Sequence, residues 1–286
     1  MNVEFHKDVN KFYDLVSPFL LKNEVENGLL LAILNSLIRN IHKYGKEDPI
    51  LLTITETDEI KLVVLRTTPH DLHISYTYDL NTIETLVETF KERKENLSGV
   101  LSFKEAADKF TKLWCENSGL KPQLLRKERI FKLVKISEDT LGINKFRVAS
   151  KQYESIVLDW ARQMLTEALI EITEEELVRK TNEFKDEFES NNSQIFLLFD
   201  KNKPVSMARK STKIPNGNGI NLVYTPPSLR RKGYATECVA KLSKLILEEG
   251  NKFCFLFTDL SNPTSNSLYQ KIGYRPVIDE NHYKFI

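Results

Sequence analysis

Two short stretches of the sequence concentrate residue types that can bind an anion and hand over a proton. The first runs Leu222-Val223-Tyr224-Thr225-Pro226-Pro227-Ser228-Leu229-Arg230-Arg231-Lys232-Gly233-Tyr234-Ala235-Thr236. A β-like run ends at Thr225, Pro226-Pro227 turns the chain, and Arg230 to Ala235 opens a helix. Unpaired backbone N–H groups at a helix start attract anions, and the helix dipole adds to them. Gly233 and Ala235 lack bulk where a phosphate would approach the backbone, and Arg230, Arg231 and Lys232 add positive charge. Taken singly, this stretch reads equally as a phosphate-binding turn or as a basic loop with a glycine turn.

The second stretch runs from Asp259 to Tyr274. Asn262 before Pro263 has the form of an N-cap followed by N1, and Gly273 that of the C′ stop. Asn262 then reads as a plain cap or as a ligand residue. Tyr269 lies seven residues on, two turns along nearly the same face, and taken singly reads as packing.

The elements that must position these residues follow from periodicity. Helices are predicted over Asp8–Lys22 and Glu24–Lys43, where Leu30, Leu34, Leu37 and Ile41 fall at helical spacing before Gly45. Three β-like runs follow, Ile50–Glu56, Ile60–Thr67 and Leu72–Tyr78. Helices resume over Thr82–Lys94 and Phe103–Asn117, and Ile130–Ile136 is rich in β-branched residues. The polar segment Ser137–Asn144, with Gly142, reads as a linker. Beyond it come a strand at Lys145–Ala149 and helices at Tyr153–Leu169 and Glu174–Phe188. Thr173 to Glu176 has capping-box form, which explains its acidic cluster better than a cationic substrate does. Strands are predicted at Gln194–Phe199, Val205–Lys210 and Gly219–Thr225. The helix opened by the basic turn carries one apolar stripe of Ala235, Cys238, Val239, Leu242, Leu245 and Ile246, and Gly250 ends it. Phe253–Phe257, apolar throughout, reads as a strand covered on both faces. A further helix and two terminal strands complete the chain. Both halves give the same succession of helices and strands, which suggests a duplication.

The 286 residues suggest two domains. A formal net charge of +1 gives no excess of cations to displace phosphate counterions, so a nucleic-acid partner is not expected. The basic run from Lys121 to Arg129 lacks interleaved aromatics and reads as a solvated connection. Hydrophobic residues make up 41%, enough for a sizeable core. Three cysteines, Cys115, Cys238 and Cys254, form no CxxC pair, so neither a disulfide framework nor a cysteine zinc site is expected. His70-Asp71-Leu72-His73 would point its histidines to opposite faces of a strand, against a metal site. No GxxxxGK[ST], GxSxG or HExxH occurs. The N-terminus lacks a signal-peptide h-region, and no 18-residue apolar run occurs. A cytoplasmic protein with no membrane partner is the expectation.

The two chemical stretches together resemble the GNAT superfamily of acyl-CoA-dependent N-acyltransferases. Arg230, Gly233 and Ala235 meet its Gln/Arg-x-x-Gly-x-Gly/Ala motif between strand and helix. Asn262, Ser265, Leu268, Tyr269, Lys271, Gly273 and Tyr274 meet its later Asn-x-x-Ala/Ser-x-x-Leu-Tyr-x-Lys-x-Gly-Phe/Tyr motif. The resemblance covers residues 145–286 and implies an α+β fold, with the GNAT acyltransferase domain as the second half. Residues 1–140 would form a degenerate GNAT-like or lid domain, since Tyr76 to Thr82 at the equivalent turn has neither glycine nor base.

Carried onto this chain, the resemblance places the main chain of Val223, Tyr224 and Thr225 beside a pantetheine arm. It assigns the pyrophosphate to backbone amides across Arg231, Lys232, Gly233, Tyr234, Ala235 and Thr236. Asn262 would contact the pantetheine, and Tyr269 would donate a proton to the departing thiolate. Acetyl-CoA is the implied cosubstrate, a primary amine the acceptor, and no metal is implied; the chain would be a monomer or homodimer. Rival readings are a non-catalytic acyl-CoA sensor and an acetyltransferase acting on protein lysines or N-termini. No general base for the amine is evident, with Asn221 and Asp259 the nearest polar residues.

Overall fold

The structure is a computed structural model that describes residues 1–116, 118–168, 172–189 and 194–286. By its internal contacts the chain forms two compact units. The first comprises Met1–Ile130, Thr258–Asn262 and Pro276–Ile286; the second comprises Phe131–Phe257 and Pro263–Arg275. The fold class is α+β, as expected.

The first half contains β1 (Asn2–His6), α1 (Val9–Leu20), α2 (Gly28–Arg39), β2 (Ile50–Glu56), β3 (Glu59–Arg66) and β4 (Leu72–Ile74). It continues with α3 (Asn81–Glu92), β5 (Gly99–Phe103), α4 (Lys104–Cys115) and β6 (Pro122–Leu133). In α1, Asp8 caps the start by accepting from the N–H groups of Asn10 and Lys11. Val9, Phe12, Val16 and Leu20 form its buried stripe. Strands β1 to β4 pair antiparallel in order, and β4 pairs β5 in parallel through Leu72↔Val100 and His73↔Leu101. On one face, α3 and α4 bury Leu86, Phe90, Phe110 and Trp114 against strand residues such as Val64, Leu72 and Val100.

The second half repeats that order with β7 (Lys145–Val148), α5 (Glu154–Ala168), α6 (Glu174–Glu189), β8 (Ile195–Asp200), β9 (Lys203–Lys213) and β10 (Gly217–Tyr224). Then come α7 (Tyr234–Glu248), β11 (Phe253–Asp259), α8 (Pro263–Ile272) and β12 (Arg275–Phe285). The pairing repeats too: β7 to β10 are antiparallel neighbours, and β10 pairs β11 in parallel. The last strand of each half is shared out differently. β12 pairs antiparallel with β5 in the first unit, Glu280↔Phe103 to Lys284↔Gly99, while Phe131 and Leu133 of β6 lie in the core of the second.

Several elements differ from expectation, each for a physical reason. The helix expected over 24–43 spans only Gly28–Arg39, because Leu21–Asn23 forms a 3-10 turn and Asn40 is extended. The strand expected to reach Tyr78 ends at Ile74. There Ser75 Oγ accepts from the Val63 N–H, and the Tyr76 N–H donates to Asn27 Oδ1 at 2.8 Å, so side chains take over the ladder. The basic run 121–129 is no solvated connection but most of β6. Its charges are answered in place: Arg129 makes a paired hydrogen bond to Asp279 at 2.6 and 2.9 Å, and Arg126 lies 3.8 Å from Glu128. The two expected terminal strands are the single β12. The predicted ends at Asn117 and Leu169 lie outside the described residues.

Glu280 on β12 is 7% exposed, and its Oε2 has no hydrogen-bond partner. Burial, with Glu128 nearby, pushes its carboxyl up to about 8. A carboxyl raised in the folded state binds a proton that the unfolded chain has released, so stability falls as pH rises from about 4.5 through 8. Glu280→Gln removes that loss. Thermal unfolding is expected to show the variant more stable than the parent at pH 9 and near parity at pH 4; equal differences at both would contradict the buried carboxyl.

Candidate active site

The second unit is built around a defect in β10. Its pairing with β9 runs Asn221↔Arg209 and then Tyr224↔Met207, so three steps on β10 oppose two on β9. This is a β-bulge, and Leu222 within it has φ +50°. A leucine in the left-handed region costs about 1–2 kcal/mol, which the surrounding packing must offset. Leu222 is buried with Trp160, Phe199 and Met207. On the other edge, β10 pairs β11 from Gly217↔Phe253 to Gly219↔Phe255. Beyond Gly219 and Phe255 the two strands make no further ladder pair, although β10 runs to Tyr224 and β11 to Asp259. Val223 to Thr225 therefore form a splayed edge without a β11 partner, where Ser206 Oγ donates to the Tyr224 carbonyl at 3.1 Å and Arg230 Nε to the Thr225 carbonyl at 2.9 Å.

The chain then passes Pro226 and a 3-10 turn at Pro227–Leu229 and reaches the start of α7. Arg231 has φ +63° and Gly233 φ +84°. Left-handed residues alternating with ordinary ones turn successive N–H groups toward one concavity, a geometry suited to anions. Gly233 is the N-cap, with no side-chain cap bond, and the first helical bond runs from the Glu237 N–H to the Gly233 carbonyl. The amides of Tyr234, Ala235 and Thr236 thus precede the hydrogen-bonded helix and point out of its N-terminus. A Cβ at Gly233 would project into open space, so backbone conformation alone demands glycine there. Arg231 and Lys232 are exposed, and among the described residues neither makes an ion pair.

Neighbouring side chains hold the helix start in place. The Tyr234 hydroxyl donates to Asp200 Oδ2 at 2.6 Å. Buried Glu237 accepts from the Asn144 N–H at 2.7 Å and from Lys241 at 2.9 Å. Gly142 at φ +50° is required beside it, since a Cβ would come within 2.3 Å of the Glu237 carboxyl.

Tyr269 occupies α8. That helix ends in a Schellman arrangement, with Tyr274 N–H donating to the Tyr269 carbonyl and Gly273 N–H to that of Gln270, both at 3.0 Å. Tyr269 is 8% exposed and packs against Phe131 and Tyr274, ring centroids 6.2 and 5.9 Å away. Val223, Leu229 and Tyr234 border the same apolar core. Burial pushes the Tyr269 hydroxyl up to about 12, so it stays protonated at neutral pH. Of the residues singled out in the sequence, Val223–Thr225, Arg231–Thr236 and Tyr269 all lie in the second unit, whereas Asn262 counts in the first. The Asn262 N–H donates to the Asp259 carbonyl at 3.1 Å. Sequence reasoning missed Gln163 and Glu167 on α5. The Tyr224 hydroxyl donates to Gln163 Oε1 at 2.7 Å, and Arg230 donates to Glu167; no local motif marks a partner some 60 residues away.

The corresponding turn of the first unit is closed by its own side chains. The Asn81 N–H donates to Asp79 Oδ1, the Asp79 N–H to Thr77 Oγ1, and the Tyr76 N–H to Asn27 Oδ1. Among the described residues no group of three or more His, Cys, Asp or Glu could hold a metal ion, and no helix is long and apolar enough to cross a membrane.

This succession of strands and helices is the fold shared by solved GNAT-family structures. Residues 198–284, in the C-terminal region, match the FR47-like protein family. Full-length likeness to solved two-domain structures extends the fold assignment to the whole chain. A Drosophila protein aligns at TM-score 0.64 and 12% identity over 99% of this chain and 98% of its own. An acetyltransferase from the GNAT family of Colwellia psychrerythraea aligns at 0.57 and 11% over 100% of both chains. A GCN5-related N-acetyltransferase from Sphaerobacter thermophilus aligns at 0.54 and 15%, over 88% of this chain and 85% of its own. No curated protein matches the sequence.

Gly233→Glu would force a left-handed glutamate into the concavity and set a carboxylate where an anion would sit. Calorimetry is expected to show CoA binding abolished with the circular-dichroism spectrum unchanged; retained binding would contradict a phosphate site at this turn.

Proposed function

We propose that this chain is an acetyl-CoA-dependent N-acetyltransferase that transfers the acetyl group directly to a primary amine. Residues 145–286 are its catalytic GNAT domain, and residues 1–140 a degenerate GNAT-like domain without a cofactor site. The observation that carries this reading is the succession of bulge, splayed edge and open helix start in one unit, with the protonated Tyr269 in the adjoining core. The self-satisfied turn at Tyr76–Thr82 supports the contrast between the halves.

In this reading the main chain of Val223, Tyr224 and Thr225 pairs with the pantetheine arm almost as an added strand. Amides across Arg231 to Thr236 hold the pyrophosphate, with the helix dipole and the exposed Arg231 and Lys232 balancing its charge. A neutral amine attacks the thioester carbonyl, and a backbone N–H near Val223 or Tyr224 steadies the oxyanion that develops. The C–S bond breaks as Tyr269 donates its phenolic proton to the departing thiolate; the surplus proton on the attacking nitrogen leaves to solvent, which returns a proton to Tyr269, while placement of both reactants lowers the barrier further. Tyr269 favours an enzyme over a non-catalytic sensor. Three free thiols, Cys115, Cys238 and Cys254, accord with a reducing, cytoplasmic setting.

Tyr269→Phe keeps the ring and removes the proton. A thiol-release assay over a panel of primary amines is expected to show kcat reduced on the order of 10²-fold or more, with CoA affinity within a few-fold of the parent. Unchanged turnover would remove Tyr269 from the mechanism, and no turnover by the parent with any amine would favour the sensor.

A further inference from the structure

We propose that Arg230 is a positioning residue that shapes the splayed edge through Glu167, and is not itself a ligand of the phosphates; the inference rests on the acyl-CoA reading above. Although the arginine sits in the basic turn, its guanidinium is already committed. Arg230 Nε donates to the Thr225 carbonyl at 2.9 Å. One of its terminal nitrogens donates to both oxygens of the Glu167 carboxylate, at 2.9 and 2.7 Å. The guanidinium carbon lies 5.5 Å from the centroid of the Tyr224 ring.

The same face of α5 grips the end of β10. Tyr224 donates its hydroxyl to Gln163 at 2.7 Å and reaches Glu167 at 3.4 Å, and Trp160 lies 6.2 Å from the Tyr224 ring. Trp160, Gln163 and Glu167 stand at helical spacing on that face. An isolated ion pair between exposed side chains contributes little. Here, however, a planar fork joins a carboxylate on α5 to a main-chain carbonyl where β10 stops, and only arginine has the geometry to do both. Turning the guanidinium toward a phosphate would surrender the Thr225 and Glu167 bonds together. Arg231 and Lys232 carry no such commitments and remain the cations available to an anion.

The test is CoA titration of the full chain, parent beside Glu167→Gln, Arg230→Ala, Arg230→Lys and the Glu167→Gln/Arg230→Ala double variant, each at low and high salt. Each variant is expected to weaken CoA binding by a similar factor, roughly 10-fold, and the double variant no more than Arg230→Ala alone. Lysine is expected not to rescue, because it restores charge but not the fork. The salt dependence should stay that of the parent, since no cation facing the phosphates has been removed. The KM for acetyl-CoA should rise by a factor similar to the loss of CoA affinity. Rescue by lysine, a flattened salt dependence in Arg230→Ala, or parent-like affinity in Glu167→Gln would overturn the proposal and leave Arg230 as a direct phosphate contact. Absence of CoA binding by the parent would instead overturn the reading on which it rests.

Discussion

Parallel pairing of β10 with β11 reaches only Gly219 and Phe255, although both strands run on. What lies beyond that point depends on the extra residue in β10. Had β10 kept its register with β9 past Asn221, Tyr224 would face the opposite side of the sheet and its main chain would follow the ladder. The bulge at Leu222 instead bends the strand and sends it into the turn that starts α7. Buried packing of Leu222 with Trp160, Phe199 and Met207 is what holds a leucine in that left-handed conformation. The Arg230–Thr225 and Tyr224–Gln163 bonds then fix where the bent strand stops.

The two halves show what a change in one turn does to a shared fold. Both place three antiparallel strands before a parallel pair, and both lead from the fourth strand into a helix. In the first unit a short turn of polar residues answers its own amides through Asp79, Thr77 and Asn27. In the second, proline and glycine replace those side chains, and left-handed Arg231 and Gly233 turn the amides outward. The same topology thus yields a closed helix start in one unit and an open one in the other.

Much of this was legible in the sequence where local chemistry decides the outcome. Pro226-Pro227, Gly233 and the apolar stripe of α7 marked the turn and helix, and Asn262-Pro263 and Gly273 bracketed α8 closely. Strand β6 was not legible, because Arg126 to Arg129 reads as solvated charge until Asp279 and His282, some 150 residues on, supply its partners. The single β12 and the early end of β4 likewise depend on distant pairing, with β5 and with Asn27. The bulge at Leu222 carries no glycine to announce it, and the grip of Gln163 and Glu167 on Tyr224 and Arg230 is purely tertiary.

The most direct test of this account is a calorimetric titration of the unmodified chain with acetyl-CoA, read for stoichiometry. An open helix start in the second unit and a closed one in the first predict saturable binding with one site per chain. Two sites per chain would contradict the closed turn at Tyr76–Thr82, and no binding at all would contradict the assignment of the splayed edge and the Arg231–Thr236 amides to an acyl-CoA.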